Sequence, residues 1–222
     1  MYDIFKQPLP IVMDRVHLMT ISDDEQKKFL QDLQTGDPVA FRRLIEQYQR
    51  PIYRLCLRLM GSEAEAEDMA QETFIRASQA ISGFRGDASL STWLFRIATN
   101  LCKNRQAYLK RRKQQSHDHL PVLEAKKGDI WQDQIHNAVS HDQPEATIES
   151  KEAETMIIRA LNQLPEKQKT ALTLRDIQGL SYAEIVEITG ASLGTVKSRI
   201  HQGRLLLVKT YQALLNGEKE GQ

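Results

Sequence analysis

Between Ala191 and Ala213 the chain carries four cations, Lys197, Arg199, Arg204 and Lys209, together with His201, and no Asp or Glu. Cations without balancing acids suit a polyanion: Lys and Arg neutralise phosphates, while the hydroxyls, amides and imidazoles between them can reach base edges. The opposite cluster lies at Ser62 to Glu72, where Glu63, Glu65, Glu67, Asp68 and Glu72 stand without a Lys or Arg. Five local acids could hold a divalent cation, complement the positive end of a helix, or dock on a basic partner. Catalytic metal sites draw ligands from several segments, and these come from one, so no metal site is expected. A third block, Ala88 to Gln115, is basic again, with Arg96, Lys103, Arg105, Lys110, Arg111, Arg112 and Lys113 and no acid. His117, His119, His136 and His141 lack the Cys or the helical spacing of a zinc site and read as polar filler. No nucleophile with a base and no phosphate-cradling Gly loop is present, so neither an enzyme nor a cofactor is expected.

The net charge of +1 is therefore a sum of opposed blocks rather than a neutral surface. With 222 residues, 41% of them hydrophobic and 27% charged, the chain can bury one large core or two small ones. No apolar run reaches the roughly 20 residues of a membrane span, and MYDIFKQPLPIVMDR lacks the pattern of a signal peptide. A cytoplasmic protein is expected. The only cysteines, Cys56 and Cys102, lie on apolar helical faces and read as reduced core residues.

Helical periodicity dominates and no alternating strand pattern stands out, so the fold is expected to be all-α. Ser22 with Glu25 reads as a capping box, Gly36 as a stop, and Asp37 with Pro38 as the cap and first residue of a helix carrying Phe41, Leu44, Ile45, Tyr48, Ile52, Leu55, Cys56 and Leu59 inward. Pro51 should kink or split that helix. Gly61, then Ser62 with Glu65, repeats stop and cap and opens a helix to about Ile81. After the loop SGFRGDAS, a long helix runs from about Leu90 to Lys113, with Leu90, Leu94, Ile97, Leu101 and Tyr108 inward. Residues 114–149 read as a linker, and helices resume near Ser150. The expected organisation is an N-terminal extension at 1–21, with Met13 and Met19 as alternative starts; a helical domain at 22–113; the linker at 114–149; a second helical domain at 150–217; and a tail at 218–222.

Near the end of the second domain, Ser181 with Glu184 forms a capping box, Gly190 stops the short helix and Ser192 caps the next, which is a helix-turn-helix pattern. At 100° per residue Val196, Ile200, Gly203 and Leu207 fall inward, with Ser198, His201 and Gln202 opposite and Lys197 and Arg204 at the flanks. That outward face suits a major groove, bases at its centre and phosphates at its edges. Arg199 lies nearer the buried side and is expected to pair with Glu184 or Glu187. The simpler reading is a helical hairpin with a solvated basic face.

LPEKQKTALTLRDIQGLSYAEIVEITGASLGTVKSRIHQGR resembles region 4 of the extracytoplasmic-function sigma factors of bacterial RNA polymerase, in the sigma-E-like group. EDMAQETFIRA resembles their region 2.2, and FRGDASLSTWLFRIATNLCKN their regions 2.3 to 2.4. The resemblance implies that Asp68, Gln71, Glu72 and Phe74 dock on the coiled coil of the polymerase β′ subunit, and that the C-terminal helix-turn-helix reads duplex DNA at the −35 element through Thr195, Lys197, Ser198, His201, Gln202 and Arg204. It implies that the 82–89 loop, with Phe84 and Arg85, walls a pocket for a flipped −10 base. Asn100 and Asn104 would read edges of the single strand, Arg96, Lys103 and Arg105 would hold its backbone, and Trp93 would stack as a wedge or pack in the core. It further implies contacts with the β flap, an acidic linker threading the polymerase cleft, and an anti-sigma factor as partner. Ser78 and Leu90 stand where the family favours Trp and Phe, and His201 and Gln202 where the group favours an aromatic and an Arg. Gln suits adenine where Arg suits guanine, so a shifted −35 preference is expected. A stand-alone helix-turn-helix regulator is the alternative function, distinguished by binding duplex DNA without polymerase.

Overall fold

The computed structural model describes the backbone of residues 23–115 and 148–219 and, within them, the side chains of 24–112 and 155–216. These residues form eight α-helices and no strand: α1 Asp23–Gln34, α2 Pro38–Met60, α3 Glu63–Ala80, α4 Leu90–Gln115, α5 Ile148–Asn162, α6 Glu166–Leu172, α7 Tyr182–Thr189 and α8 Leu193–Lys219. A 3₁₀ turn, Ile81–Gly83, follows α3, and a π-helical turn, Thr173–Ile177, follows α6.

The caps explain the boundaries. Asp37 accepts from Val39 N with Pro38 behind it, and Gly61 ends α2 at φ 73°, a left-handed conformation that suits a residue without Cβ. Pro51 does not split α2, which runs unbroken through it. The Ser62–Glu65 capping box does not form: Ser62 makes no side-chain cap, and both Glu65 oxygens instead take the Arg105 guanidinium at 2.6 and 2.9 Å. Two charge-assisted bonds to a bidentate fork outcompete one to a backbone amide. Ser22 and the 116–147 linker, with its four histidines, lie outside the described residues.

Helices α1 to α4 enclose the first core, in which Leu44, Ile52, Leu55, Phe74 and Leu94 are fully buried. The inward face of α4 is turned from the expected one. Leu94, Phe95, Ala98 and Cys102 are buried, Leu90, Ile97 and Leu101 are half-buried, and Tyr108 is 43% exposed, carrying the Arg105 guanidinium 5.8 Å from its ring. Helices α5 to α8 form the second unit around Leu161, Leu164 and Leu172, with Ile157, Ile177 and Leu207 packed on them.

The two units pack on each other. Ile185, Ile188, Val196 and Ile200 of the second unit share one apolar cluster with Leu94, Phe95 and Ala98 of the first. Polar links stitch this seam. Thr92 Oγ1 donates to Glu184 Oε1 at 3.2 Å, Arg96 pairs with Glu187 at 2.7 Å, Lys110 with Glu166 at 3.4 Å, and Gln178 donates to Pro51 O at 3.4 Å. Deeper in, Lys169 Nζ donates to Leu59 O at 2.6 Å and to Asn162 Oδ1 at 3.2 Å.

Candidate functional site

The C-terminal helix-turn-helix is built by its caps. Ser181 and Glu184 complete a reciprocal capping box, Gly190 closes α7 at φ 66°, and the Ser192 hydroxyl accepts from Thr195 N at 3.3 Å to open α8. Burial alone would raise the Glu184 pKa, but bonds from the Ser181 side chain, its backbone and Thr92 hold it below the ordinary 4.5. Val196 and Ile200 are buried at 0% and 1%, and Gly203 is buried because α8 crosses α6 there: a Cβ would meet Gln168 O at 3.2 Å and Leu172 Cβ at 3.4 Å. This close approach is why a glycine stands in mid-helix.

The outward face of α8 carries Lys197, Ser198, His201 and Gln202, all exposed, with Thr195 half-buried beside them. Lys197 stands 5.9 Å over the Tyr182 ring, whose other neighbour is Arg175 at 4.9 Å, so the ring orients both cations. Gln202 accepts from Gln168 at 3.4 Å. Arg204 is spent differently: its guanidinium grips Asp176 with bonds of 2.8 and 2.5 Å, which also raises its pKa. Arg199 does not find its expected partners, because Glu184 is committed to Ser181 and Thr92, and Glu187 to Arg96.

On α4, Asn100, Lys103 and Asn104 share one exposed face. Arg105 sits beside them but is tied to Glu65, whose carboxylate raises its pKa, and Arg96 is tied across the seam to Glu187. The loop before α4 presents Arg85 to solvent, while Phe84 is 8% exposed, with its ring centroid 5.1 Å from that of the half-buried Trp93. Gln34 Nε2 donates to Phe84 O at 2.7 Å, fixing the loop base to α1.

On α3, Asp68 is exposed and Gln71 and Glu72 are half-buried, Glu72 pairing with Arg76 at 2.7 Å. Phe74 has no exposed surface and packs this acidic face from beneath. No group of three or more His, Cys, Asp or Glu that could hold a metal occurs among the described residues. Sequence reasoning missed Lys169, Asp176 and Thr92, and it gave Glu184 and Glu187 to Arg199 where the fold gives them to Thr92 and Arg96. Glu184 and Glu187 were legible as acids facing one way, but their partner helix lies a domain away.

The chain matches the Sigma-70 region 2 model over residues 44–115 and the Sigma-70 region 4 model over residues 154–207. It is 36% identical over 195 residues to the RNA polymerase sigma-H factor of Pseudomonas aeruginosa, covering 88% of this chain and 98% of that protein. It belongs to the extracytoplasmic-function group of the sigma-70 family. SigW of Bacillus subtilis, an extracytoplasmic-function sigma factor, is 37% identical over 85% of this chain and 97% of its own length. The sigma-E factor of Haemophilus influenzae is 36% identical over 82% of this chain and 93% of its own. Among solved structures, the Bartonella quintana sigma factor RpoE, in complex with the anti-sigma factor NepR, shares the fold at TM-score 0.57 and 21% identity, over 86% of this chain and 98% of that one. CnrH, in complex with the cytosolic domain of CnrY, does so at TM-score 0.55 and 20% identity, over 86% of this chain and 97% of its own. As a sigma factor, the protein directs transcription initiation, with the region 4 helix-turn-helix as a DNA-binding module. No helix among the described residues is long and apolar enough to cross a membrane.

Proposed function

We propose that this sigma factor works in the cytoplasm as a dissociable subunit of RNA polymerase, with residues 22–113 serving core binding and the −10 element, residues 150–217 serving the −35 element, and the intervening 114–149 linking them. The observation that supports it best is the pairing of two exposed nucleic-acid faces, Lys197, Ser198, His201 and Gln202 on α8 and Asn100, Lys103 and Asn104 on α4, within modules matching regions 4 and 2 in order.

At −35, Ser198, His201 and Gln202 read base edges in the major groove, and Thr195 and Lys197 hold flanking phosphates. Arg204 joins them only by exchanging Asp176 for a phosphate. At −10, Asn100 and Asn104 read the single strand, Lys103 holds its backbone with Arg96 and Arg105 once their carboxylates release them, and Arg85, Phe84 and Trp93 form the pocket of the 82–89 loop. Strand opening needs no nucleotide hydrolysis when the opened strand is bound better than the duplex. Asp68, Gln71 and Glu72 form the acidic dock for the β′ coiled coil, with Phe74 holding their helix in place, and region 4 contacts the β flap. The anti-sigma factor bound to the Bartonella quintana relative supports an anti-sigma factor as a further partner, and no catalytic activity is assigned.

The closed seam sets one requirement. Arg96 and Glu187 cannot be paired while Arg96 holds a DNA strand, so promoter engagement breaks this link of the seam. The test is run-off transcription with core polymerase on a library of promoters: discrete starts appear only with the protein added, and Gln202→Ala alters preference at one base position. A protein that shifts duplex DNA alone and never confers promoter-specific starts on core enzyme is the stand-alone regulator instead.

A further inference from the structure

Gln34 is the last residue of α1, and its side chain reaches across to the loop that precedes α4, where Nε2 donates to the Phe84 carbonyl at 2.7 Å. The platform beneath it is rigid. Asp37 N donates to Asp32 O at 2.9 Å and Gly36 N to Leu33 O at 3.1 Å, with Gly36 at φ 80°, which is the paired closure of a Schellman motif. Leu33, 1% exposed, sinks that turn into the core. The receiving end is equally well defined. Phe84 leaves the 3₁₀ turn in an extended conformation, φ −72° and ψ 118°, with its N–H on Ile81 O at 3.0 Å and its ring against Trp93. Rotation about the Phe84 Cα–C bond moves neither ring nor N–H, so those two contacts leave the carbonyl free to turn. Gln34 removes that freedom. Because a peptide unit is planar, whatever holds the Phe84 oxygen also directs the Arg85 N–H and Cα. Arg85, Gly86 and Asp87 beyond it are exposed, and Gly86, at φ 77°, turns the loop. The far end of the loop is held by a hydroxyl contact of Ser89 with Thr92 at 2.7 Å, but Thr92 leans in turn on Glu184 of region 4. The Gln34 tie lies wholly within region 2 and does not depend on the seam.

We propose that Gln34 is a positioning residue of the −10 pocket, setting the direction in which the 82–89 loop presents Arg85 to a flipped base, an assignment that rests on reading that loop as the pocket wall. Gln34 touches no DNA itself and acts through the Phe84–Arg85 peptide. A recognition group works only while its supporting contacts keep it within a fraction of an ångström of its target. Without the bond the loop swings about one torsion, and the loss falls on one captured base rather than along the strand.

The full-length protein is bound to core polymerase and offered a fork-junction DNA, duplex through −35 and single-stranded over the −10 stretch, taken from a promoter at which the wild-type holoenzyme starts. Its single-stranded bases are replaced one at a time by an abasic site. With the wild type, the position captured by the loop should lose affinity severalfold. Gln34→Leu and Gln34→Glu keep an extended stem and remove the donor. In both, that loss should shrink towards none, the intact probe binding about as weakly as the abasic one, while the other positions, the affinity for core enzyme and the melting temperature of the free protein stay close to wild type. An abasic profile identical to wild type in both variants overturns the positioning role, and so does an equal weakening at every position, which a merely structural loss would give. Arg85→Ala separates the two ideas. If it flattens the captured position while the Gln34 variants do not, the pocket stands and Gln34 has no part in it; if it too leaves the profile intact, the pocket falls and the role of Gln34 with it.

Discussion

Lys169 shows how a single side chain can be informative by being unfavourably placed. The residue is 6% exposed, its ammonium donates to two neutral oxygens, Leu59 O and Asn162 Oδ1, and burial draws its pKa below the ordinary 10.5. A buried charge without a bonded carboxylate gains little net stability, and replacing it by an apolar side chain of similar length is often neutral or better. Lys169→Met leaves no orphan acceptor at Leu59, because Gln106 still donates there. Its melting temperature is therefore expected to equal or exceed that of the wild type, whereas Lys169→Ala, which removes the packed stem as well, should lose about 2 kcal/mol in chemical denaturation, on the scale of large-to-small changes in a core. A marked loss in Lys169→Met would mean that the ammonium holds the seam by charge. Gly203 makes the complementary case. Helix propensity favours Ala by about 1 kcal/mol, but the 3.2 Å approach of Gln168 O cancels that gain, and a larger side chain would prise α8 from α6.

At the scale of elements, α7 gathers most of its definition in four residues. Ser181 and Glu184 bond reciprocally at its start, and Glu184 also takes Thr92 from the neighbouring unit. Ser181→Ala should lower stability by about 1 kcal/mol, the usual loss of an N-cap, and the loss should be visible by circular dichroism. Acid should act on the same place. Glu184 is held below its ordinary value of 4.5, so its contribution is present above that value and is lost as pH falls through the lowered one. Melting temperatures are expected to drop below about pH 4.5, and less steeply in Thr92→Ala; an unchanged slope would mean Thr92 contributes nothing to that shift. These elements were legible in advance where the signal was local. Asp37–Pro38, Gly61, Ser181–Glu184 and Ser192 announced their helices through residue types a few positions apart. The inward face of α4 was misread because hydrophobicity placed Tyr108 inside, while its ring instead lies beneath Arg105 at the surface. The outward stripe of α8 was legible because one period governs it, but the withdrawal of Arg204, Arg105 and Arg96 into ion pairs was not. Their carboxylates, Asp176, Glu65 and Glu187, are 28 to 91 positions away, and only the fold pairs them.

The whole molecule is an assembly of two units whose working surfaces partly face each other. The apolar share of the seam, the cluster that Leu94, Phe95 and Ala98 of region 2 share with Ile185 and Ile188 of region 4, favours closure without regard to salt. The Arg96–Glu187 pair, at 37% and 38% exposure, adds an electrostatic share that is small and screened. If polymerase takes up only the opened form, its apparent affinity is the intrinsic one scaled by the open fraction. Glu187→Gln removes the attraction without introducing a repulsion and leaves Arg96 free to meet a phosphate. Because an exposed pair contributes under about 1 kcal/mol, the gain in core affinity should not exceed roughly fivefold. It should shrink as salt rises and disappear near 1 M, where the screening length falls to about 3 Å. Small-angle scattering of the free protein should show a modest rise in radius of gyration in the same variant, and Arg96→Glu with Glu187→Arg should return it towards the wild-type value. A variant that binds core no better at any salt would assign closure wholly to the apolar seam, leaving Arg96 and Glu187 as bystanders to the cluster that Ile185 and Leu94 share.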